Sequence, residues 1–203
     1  MNFSTRKSSQ IKKVMLDPRA DIPRHTYYML RNIPVFSKEK QRFDLTIIPA
    51  LKLGREFNKT FGHIHQHNEP ETYKLLLGKA LFLLQKMAGS AMLEGDKPGL
   101  EDPNPGLKEF EQPPSIEKIK IIPAARGDVV KIPPGWHHET INIGNLPLVL
   151  VNWIPRKTEN DYNLIEEMQG FGYYIIDSND DGYELLENEN YEKVPEPKFL
   201  STK

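Results

Sequence analysis

From Phe43 onward the apolar residues of this chain fall into short runs, too short for helices of ordinary length and separated by turn-forming residues. The runs are Phe43–Ile48, Ala80–Leu84, Lys118–Ile122, Asp128–Ile132, Pro147–Ile154 and Gly172–Asp177. The 13 glycines and 17 prolines supply much of the punctuation between them. Many short strands joined by Gly and Pro turns bury their apolar faces as a sandwich or small barrel, so the expected class is all-β. One helical stretch is expected from Asn160–Asp161–Tyr162, with Asn160 or Asp161 as N-cap and Gly170 as the stop.

Around this core, residues 41–178, lie two extensions. Residues 1–40 are basic and interrupted by Pro18, Pro23 and Pro34, and they read as an arm of short elements packed on the core or contacting a partner. Residues 179–203 read as an acidic, loosely held tail. Inside the core, a Gly/Pro/acidic stretch at about 89–114 has no sustained periodicity and reads equally as a lid or as an excursion away from any site.

At 203 residues, 38% hydrophobic and 27% charged, the chain suits one soluble domain with extensions. A net charge of −1 gives no basic field for nucleic acid and no attraction to a membrane surface, so neither partner is expected. No apolar run approaches the ~20 residues that span a bilayer. Met1–Lys7 lacks the apolar stretch of a secretory signal, and a cytoplasmic protein is expected. Without cysteine, disulfides and thiolate metal sites are excluded.

Five of the six histidines are concentrated in two segments, Thr60–Tyr73 and Gly127–Asn142. A His-x-His pair on a strand, His63 and His65, points both imidazoles to one face. With a carboxylate and a distant imidazole, such a pair makes a borderline N/O shell suited to Fe, Mn, Ni or Zn, with positions left open for substrate. In the second segment Gly127, Pro133, Gly135, His138 and Asn142 follow Gly-x5-Pro-x-Gly-x2-His-x3-Asn, the second motif of the cupin superfamily. In the first, His63, His65, Glu71 and Gly78 resemble the other cupin motif with a lengthened gap before the glutamate and the leading glycine displaced to Gly62. Glu69 would satisfy the shorter gap but leaves Leu75 and Leu76 where the terminal glycine belongs, so Glu71 is the favoured carboxylate. His67 and His137 read as surface or outer-layer histidines, His25 as structural.

The resemblance narrows. Thr60, Gly62, His63, His65, Glu71, Tyr73, Pro133, Pro134, Trp136, His138, Thr140, Asn142 and Gly144 form a pattern similar to the cupin-type glucose-6-phosphate isomerases of archaea and some bacteria. It covers most of residues 43–176. The resemblance implies a double-stranded β-helix (jelly-roll) and an aldose–ketose isomerase interconverting glucose 6-phosphate and fructose 6-phosphate. It implies one divalent metal per subunit, iron(II) first and Mn, Ni or Zn as alternatives, held by His63, His65, Glu71 and His138. It implies a sugar phosphate bound through the neutral donors Thr46, Thr60 and the Gly62 backbone without a lysine cluster, Tyr73 and Tyr162 at the substrate cavity, Glu71 as the candidate base, and a homodimer. Two positions depart from the family: Ile154 stands where members carry tyrosine, and Asn160 where they carry histidine. These departures keep open another metal cupin enzyme, a dioxygenase or an isomerase of a different sugar phosphate. A cupin module that senses a sugar without turning it over is the non-enzymatic alternative.

Overall fold

The computed structural model describes residues 1–89, 112–178 and 182–202. Most of the stretch at 89–114 therefore lies outside the described residues. The short apolar runs are strands, and period-two alternation decides what each contributes. In β3 (Gln41–Ile48), Arg42, Asp44 and Thr46 share one face, while Phe43 turns the other way against Phe36 and Trp153, with ring centroids 5.0 and 5.1 Å apart.

The core strands after β3 are β7 (Glu71–Leu77), β8 (Lys79–Met87), β9 (Ile116–Ala125), β10 (Val129–Ile132), β11 (His137–Asn142) and β12 (Leu148–Pro155). Preceding β7 are the two-residue strands β4 (Lys52–Leu53), β5 (Glu56–Phe57) and β6 (Ile64–His65). One sheet carries the order β3-β12-β7-β10, the other β11-β8-β9. The segment around β6 runs beside β11 through the bridges Lys59↔Ile141 and His63↔His138. The first long core strand thus pairs with the last, and each successive pair nests inside it. That nesting is the antiparallel jelly-roll, or double-stranded β-helix, expected from the sequence.

β8 shows why this topology reads as a continuous apolar run. Ala80 through Leu84 are fully buried, because one sheet covers one face and the C-terminal segments cover the other. The next residue, Gln85, is also buried, and its amide is fully used: Nε2–H donates to Tyr191 Oη at 2.9 Å and Oε1 accepts the Gly172 N–H at 2.9 Å. Gly78 joins β7 to β8 at φ +91°, and a Cβ there would sit 3.0 Å from Leu148 Cα, so glycine is required at this corner.

Residues 1–40 extend the first sheet. β1 (Asn2–Lys7) pairs with β2 (His25–Arg31), and β2 pairs with β3. Between them α1 (Ser8–Ile11) and a single 3-10 turn bury Ile11, Val14 and Met15 completely. His25 is structural, its Nδ1 within 3.0 Å of Thr5 Oγ1. After β13 (Asn160–Asp161), the helix is shorter than expected: α2 covers Asn163–Glu167, and Asp161 Oδ1 accepts the Asn163 N–H at 2.9 Å. The acidic tail is not loosely held. Following β14 (Tyr173–Asp177), β15 (Tyr183–Glu187) pairs along it, and β16 (Lys198–Phe199) runs parallel to β9. Tyr191 is 5% exposed, its hydroxyl donating to the Gly170 carbonyl at 2.8 Å. Backbone pairing and one buried aromatic anchor this segment despite its polar composition.

Candidate metal centre and substrate cavity

β6, β7 and β11 bring His63, His65, Glu71 and His138 to one point, with ligand atoms that all lie within 4.8 Å of one another. His65 Nε2 and His138 Nε2 are 3.3 and 3.1 Å from the same carboxylate oxygen, Glu71 Oε2, and His63 Nε2 is 3.3 Å from His65 Nε2. The far sides of two rings are held by the backbone. His65 Nδ1 is 2.7 Å from the Glu69 carbonyl and His138 Nδ1 is 3.3 Å from the Trp136 carbonyl. An N–H at Nδ1 donating to a carbonyl leaves the Nε2 lone pair aimed at the cluster. Glu69 therefore enters the site through its backbone oxygen, and Glu71 is the carboxylate that joins the imidazoles.

Both oxygens of Glu71 are also engaged by neutral donors. Tyr73 Oη–H donates to Oε2 at 2.8 Å, and the Asn152 amide donates to Oε1. Burial opposes ionisation of Glu71, but the hydrogen bonds of His138 and His65 and the charges of His138 and His63 outweigh it and hold the carboxyl well below the usual range. Burial, reinforced by His138, pushes the His63 imidazole well down and keeps it neutral. For His65 burial also acts downward, yet the Glu71 hydrogen bond and charge raise it. An ionised carboxylate and a neutral imidazole are the forms that ligate a cation, and a proton on His65 would leave as one binds. Three imidazole nitrogens and one carboxylate oxygen, already converged and oriented, fit a divalent transition metal.

The cluster opens into a cavity of about 620 Å³, its mouth included, lined from both sheets. Thr46, Thr60, Gly62, Tyr73 and Tyr162 all line it. Thr60 Oγ1 accepts the Thr140 N–H at 2.9 Å, which leaves the hydroxyl proton available to a ligand. Gly62, at φ +79°, packs so closely that a Cβ would fall 2.2 Å from the Phe171 ring. Tyr162 stands edge-on to Phe61 at 5.4 Å and 5.7 Å from His63. Ile154 and Asn160 are on the same lining, and Asn160 Nδ2–H donates to Tyr162 Oη at 3.1 Å. His67 is exposed, as expected. His137 is not a surface residue: it points away from His138 into packing at 7% exposure, and burial pushes its ring down to about 3. Trp136 packs under Lys120 Nζ, 4.0 Å from the ring centroid, and is absent from the cavity lining.

Sequence reading missed Asn152, Asp44 and three arginines that line the cavity, Arg6, Arg31 and Arg42. The donors expected from the sequence were neutral, and these arginines line the cavity beside them. Arg42 and Asp44 could have been found, because they alternate with Thr46 along one strand. Asn152, Arg6 and Arg31 gave no local signal.

A jelly-roll whose opposed sheets enclose three imidazoles and a carboxylate has a cupin-type architecture with a candidate metal site. Comparison with known proteins narrows the class. The family model for glucose-6-phosphate isomerase (GPI) matches residues 5–194. The glucose-6-phosphate isomerase of Pyrococcus horikoshii is 29% identical over 181 residues, covering 86% of this chain and 80% of the relative. That of Pyrococcus furiosus is 27% identical over 197 residues, covering 94% and 88%. The chain belongs to the glucose-6-phosphate isomerase family. Among solved structures, an oxalate oxidase bound to the substrate analogue glycolate superposes with a TM-score of 0.44 at 13% identity, covering 68% of this chain and 55% of that one. The cupin domain of Schizosaccharomyces pombe Cnp3 gives 0.39 at 12% identity, covering 70% and 71%.

Proposed function

We propose that the protein is a metal-dependent aldose–ketose isomerase interconverting glucose 6-phosphate and fructose 6-phosphate. The observation that carries this reading is the convergence of His63, His65, Glu71 and His138 on the wall of a cavity that also presents the Thr46 and Thr60 hydroxyls, in a chain of this family. Those four side chains would hold one divalent ion, iron(II) by preference, with Mn, Ni or Zn as alternatives. A bound ion would supply Lewis-acid polarisation of the open-chain sugar's carbonyl.

The protein's own groups do the rest. Thr46, Thr60 and the Gly62 backbone orient the sugar phosphate by hydrogen bonds. Tyr73 and Asn152 fix the Glu71 carboxylate, and the buried walls built by Phe61, Leu150 and Ile154 exclude water. Glu71 is the one carboxylate of the cluster and the candidate base for an enediol route. Its oxygens already accept from Tyr73 and Asn152, and its carboxyl is held far down, so it is a weak proton acceptor. That favours direct passage of hydrogen between C1 and C2.

Fructose 6-phosphate supplied to metal-replete protein in deuterium oxide tests both statements. Glucose 6-phosphate should appear without deuterium at C2 in the first turnovers. No product at all would overturn the isomerase reading, whereas product carrying solvent deuterium would assign Glu71 the proton-transfer role. Ile154 and Asn160 favour, as second reading, an isomerase of a related sugar phosphate. The reading also places the protein in the cytoplasm as a homodimer. Sedimentation should then give about twice the 23.4 kDa chain mass, and a monomer would remove that element.

A further inference from the structure

Three guanidinium groups line the cavity of a chain whose net charge is −1, and they are not equivalent. Arg42 is neutralised in place, its Nε 3.0 Å from Asp44 Oδ2. Arg6 meets no carboxylate among the described residues. Its Nε–H donates to Tyr27 Oη at 3.0 Å, and its guanidinium carbon lies 5.7, 5.0 and 5.5 Å from the ring centroids of Tyr27, Phe61 and Tyr162. The tyrosine that holds it is fixed in turn: Tyr27 is 3% exposed, and its hydroxyl accepts the Phe61 N–H at 3.3 Å. A half-buried guanidinium held among three rings, with no counter-anion among the described residues, keeps donors that an anion in the cavity can use. Aromatic faces stabilise such a cation only modestly. An anion that enters the cavity can pair with this charge.

Position identifies the ligand chemistry. Arg6 covers the ring of Phe61, the residue between Thr60 and Gly62. Thr60 keeps its hydroxyl proton free, so a hydroxyl donor and a planar fork of guanidinium donors border one corner of the cavity. That donor set suits a tetrahedral dianion.

We propose that Arg6, delivered by the first β-strand, binds the phosphate group of the substrate and completes a phosphate subsite with Thr60 and Gly62. The proposal rests on the sugar-phosphate reading of this cavity and assigns the residue that selects the phosphorylated sugar. It also gives β1 a role in the site: the strand inserts a cation that the core strands do not supply at this corner.

The test compares wild type with Arg6→Gln and Arg6→Met. The second keeps an apolar stem against the three rings, so that at least one charge-free variant retains the packing. Arg19→Gln removes the same charge from a side chain that is 95% exposed. Each metal-replete protein is assayed for KM and kcat with fructose 6-phosphate, and for inorganic phosphate binding by calorimetry. The Arg6 variants should raise both KM and the phosphate Kd about 10–100-fold, with kcat within a few-fold and metal content unchanged, while Arg19→Gln stays at wild-type values. An unchanged phosphate Kd in a folded Arg6 variant overturns the proposal. So does a lowered kcat with unchanged KM, which marks a purely structural role. Arg6-dependent phosphate binding by a wild-type protein that isomerises nothing would leave the subsite standing and refute the isomerase reading instead.

Discussion

His138→Ala is expected to lower kcat/KM for fructose 6-phosphate by about a thousand-fold or more and to leave the purified protein with little bound metal. His138 is 2% exposed, its Nε2 is 3.1 Å from Glu71 Oε2, and its Nδ1 faces the Trp136 carbonyl. It is one of the three imidazoles of the cluster and lies directly against its one carboxylate, so its loss removes a donor from the centre of the set. Polarisation of a carbonyl by a bound ion supplies several kcal/mol of transition-state stabilisation, which sets the thousand-fold scale. Alanine in place of a buried imidazole also leaves a void, so folding is checked by the melting temperature before activity is read. The companion measurement is metal removal from wild type with chelator, followed by addition of Fe(II), Mn(II), Ni(II) or Zn(II). Activity should vanish and return with at least one ion, and iron(II) should restore most. Full activity in stripped protein would refute the metal assignment, and full activity in His138→Ala would refute this ligand.

The largest expected effect on stability belongs to Lys59. This side chain is 2% exposed, with Nζ 2.7 Å from Glu56 Oε1 and 3.9 Å from Glu139 Oε2, both carboxyls being 1% exposed, and 5.2 Å from the Tyr174 ring centroid. Two carboxyl groups share one cation, and they divide it unequally. Glu56 takes the short contact with Lys59 and also accepts the Leu16 N–H at 2.7 Å. Burial, only partly offset by Lys59, pushes the Glu139 carboxyl up to about 8, so it is held mostly protonated near neutrality. The core therefore contains one ion pair and one neutral acid. Lys59→Met keeps the stem and removes the charge, leaving Glu56 buried without its counter-ion. Breaking such a pair from one side costs about 3–5 kcal/mol, which for a domain of this size is a melting-temperature drop of roughly 10 °C. A shift of a degree or two by calorimetry would show that the pair contributes little. The double variant Lys59→Met with Glu56→Gln should recover part of the loss, because it removes both buried charges together.

This triad lies behind the cluster of His63, His65, Glu71 and His138. Glu139 follows His138 on β11 and points to the opposite face, and Lys59 is bridged to the same strand at Ile141. The pairing of the 59–65 segment with β11, which brings His63 beside His138, is thus tied on its outer side by a buried ion pair. Destabilising that side is expected to loosen the His63, His65, Glu71 and His138 cluster as well.

Much of this protein was legible in the residues themselves, for physical reasons that differ by feature. The strands were visible because a half-buried strand must alternate and a doubly buried one must be apolar throughout, as in Ala80–Leu84. The residues that converge, His63, His65, Glu71 and His138, were visible because their types recur at spacings that a strand and a tight turn impose. Gly78 selected Glu71 over Glu69 for that reason, and the structure uses Glu69 only through its carbonyl. Arg42 and Asp44 stood in plain alternation with Thr46. Composition misled in two places. The acidic tail appeared unanchored, yet Tyr191 and the pairing of β15 hold it. A near-zero net charge concealed three arginines gathered into one cavity.

What the sequence alone determined is local: strand periodicity, turn glycines and the donor atoms that can ligate a metal. Tertiary structure decided everything that depends on strands meeting across long separations. It placed Asn152 against Glu71, turned His137 into the packing while His138 faced the cavity, and buried Lys59 between two carboxyls. It also carried Arg6 from the first strand to the ring of Phe61. Side-chain chemistry and short-range geometry are written in neighbouring residues, whereas a cavity wall is a product of sheet order and register, which no short segment contains.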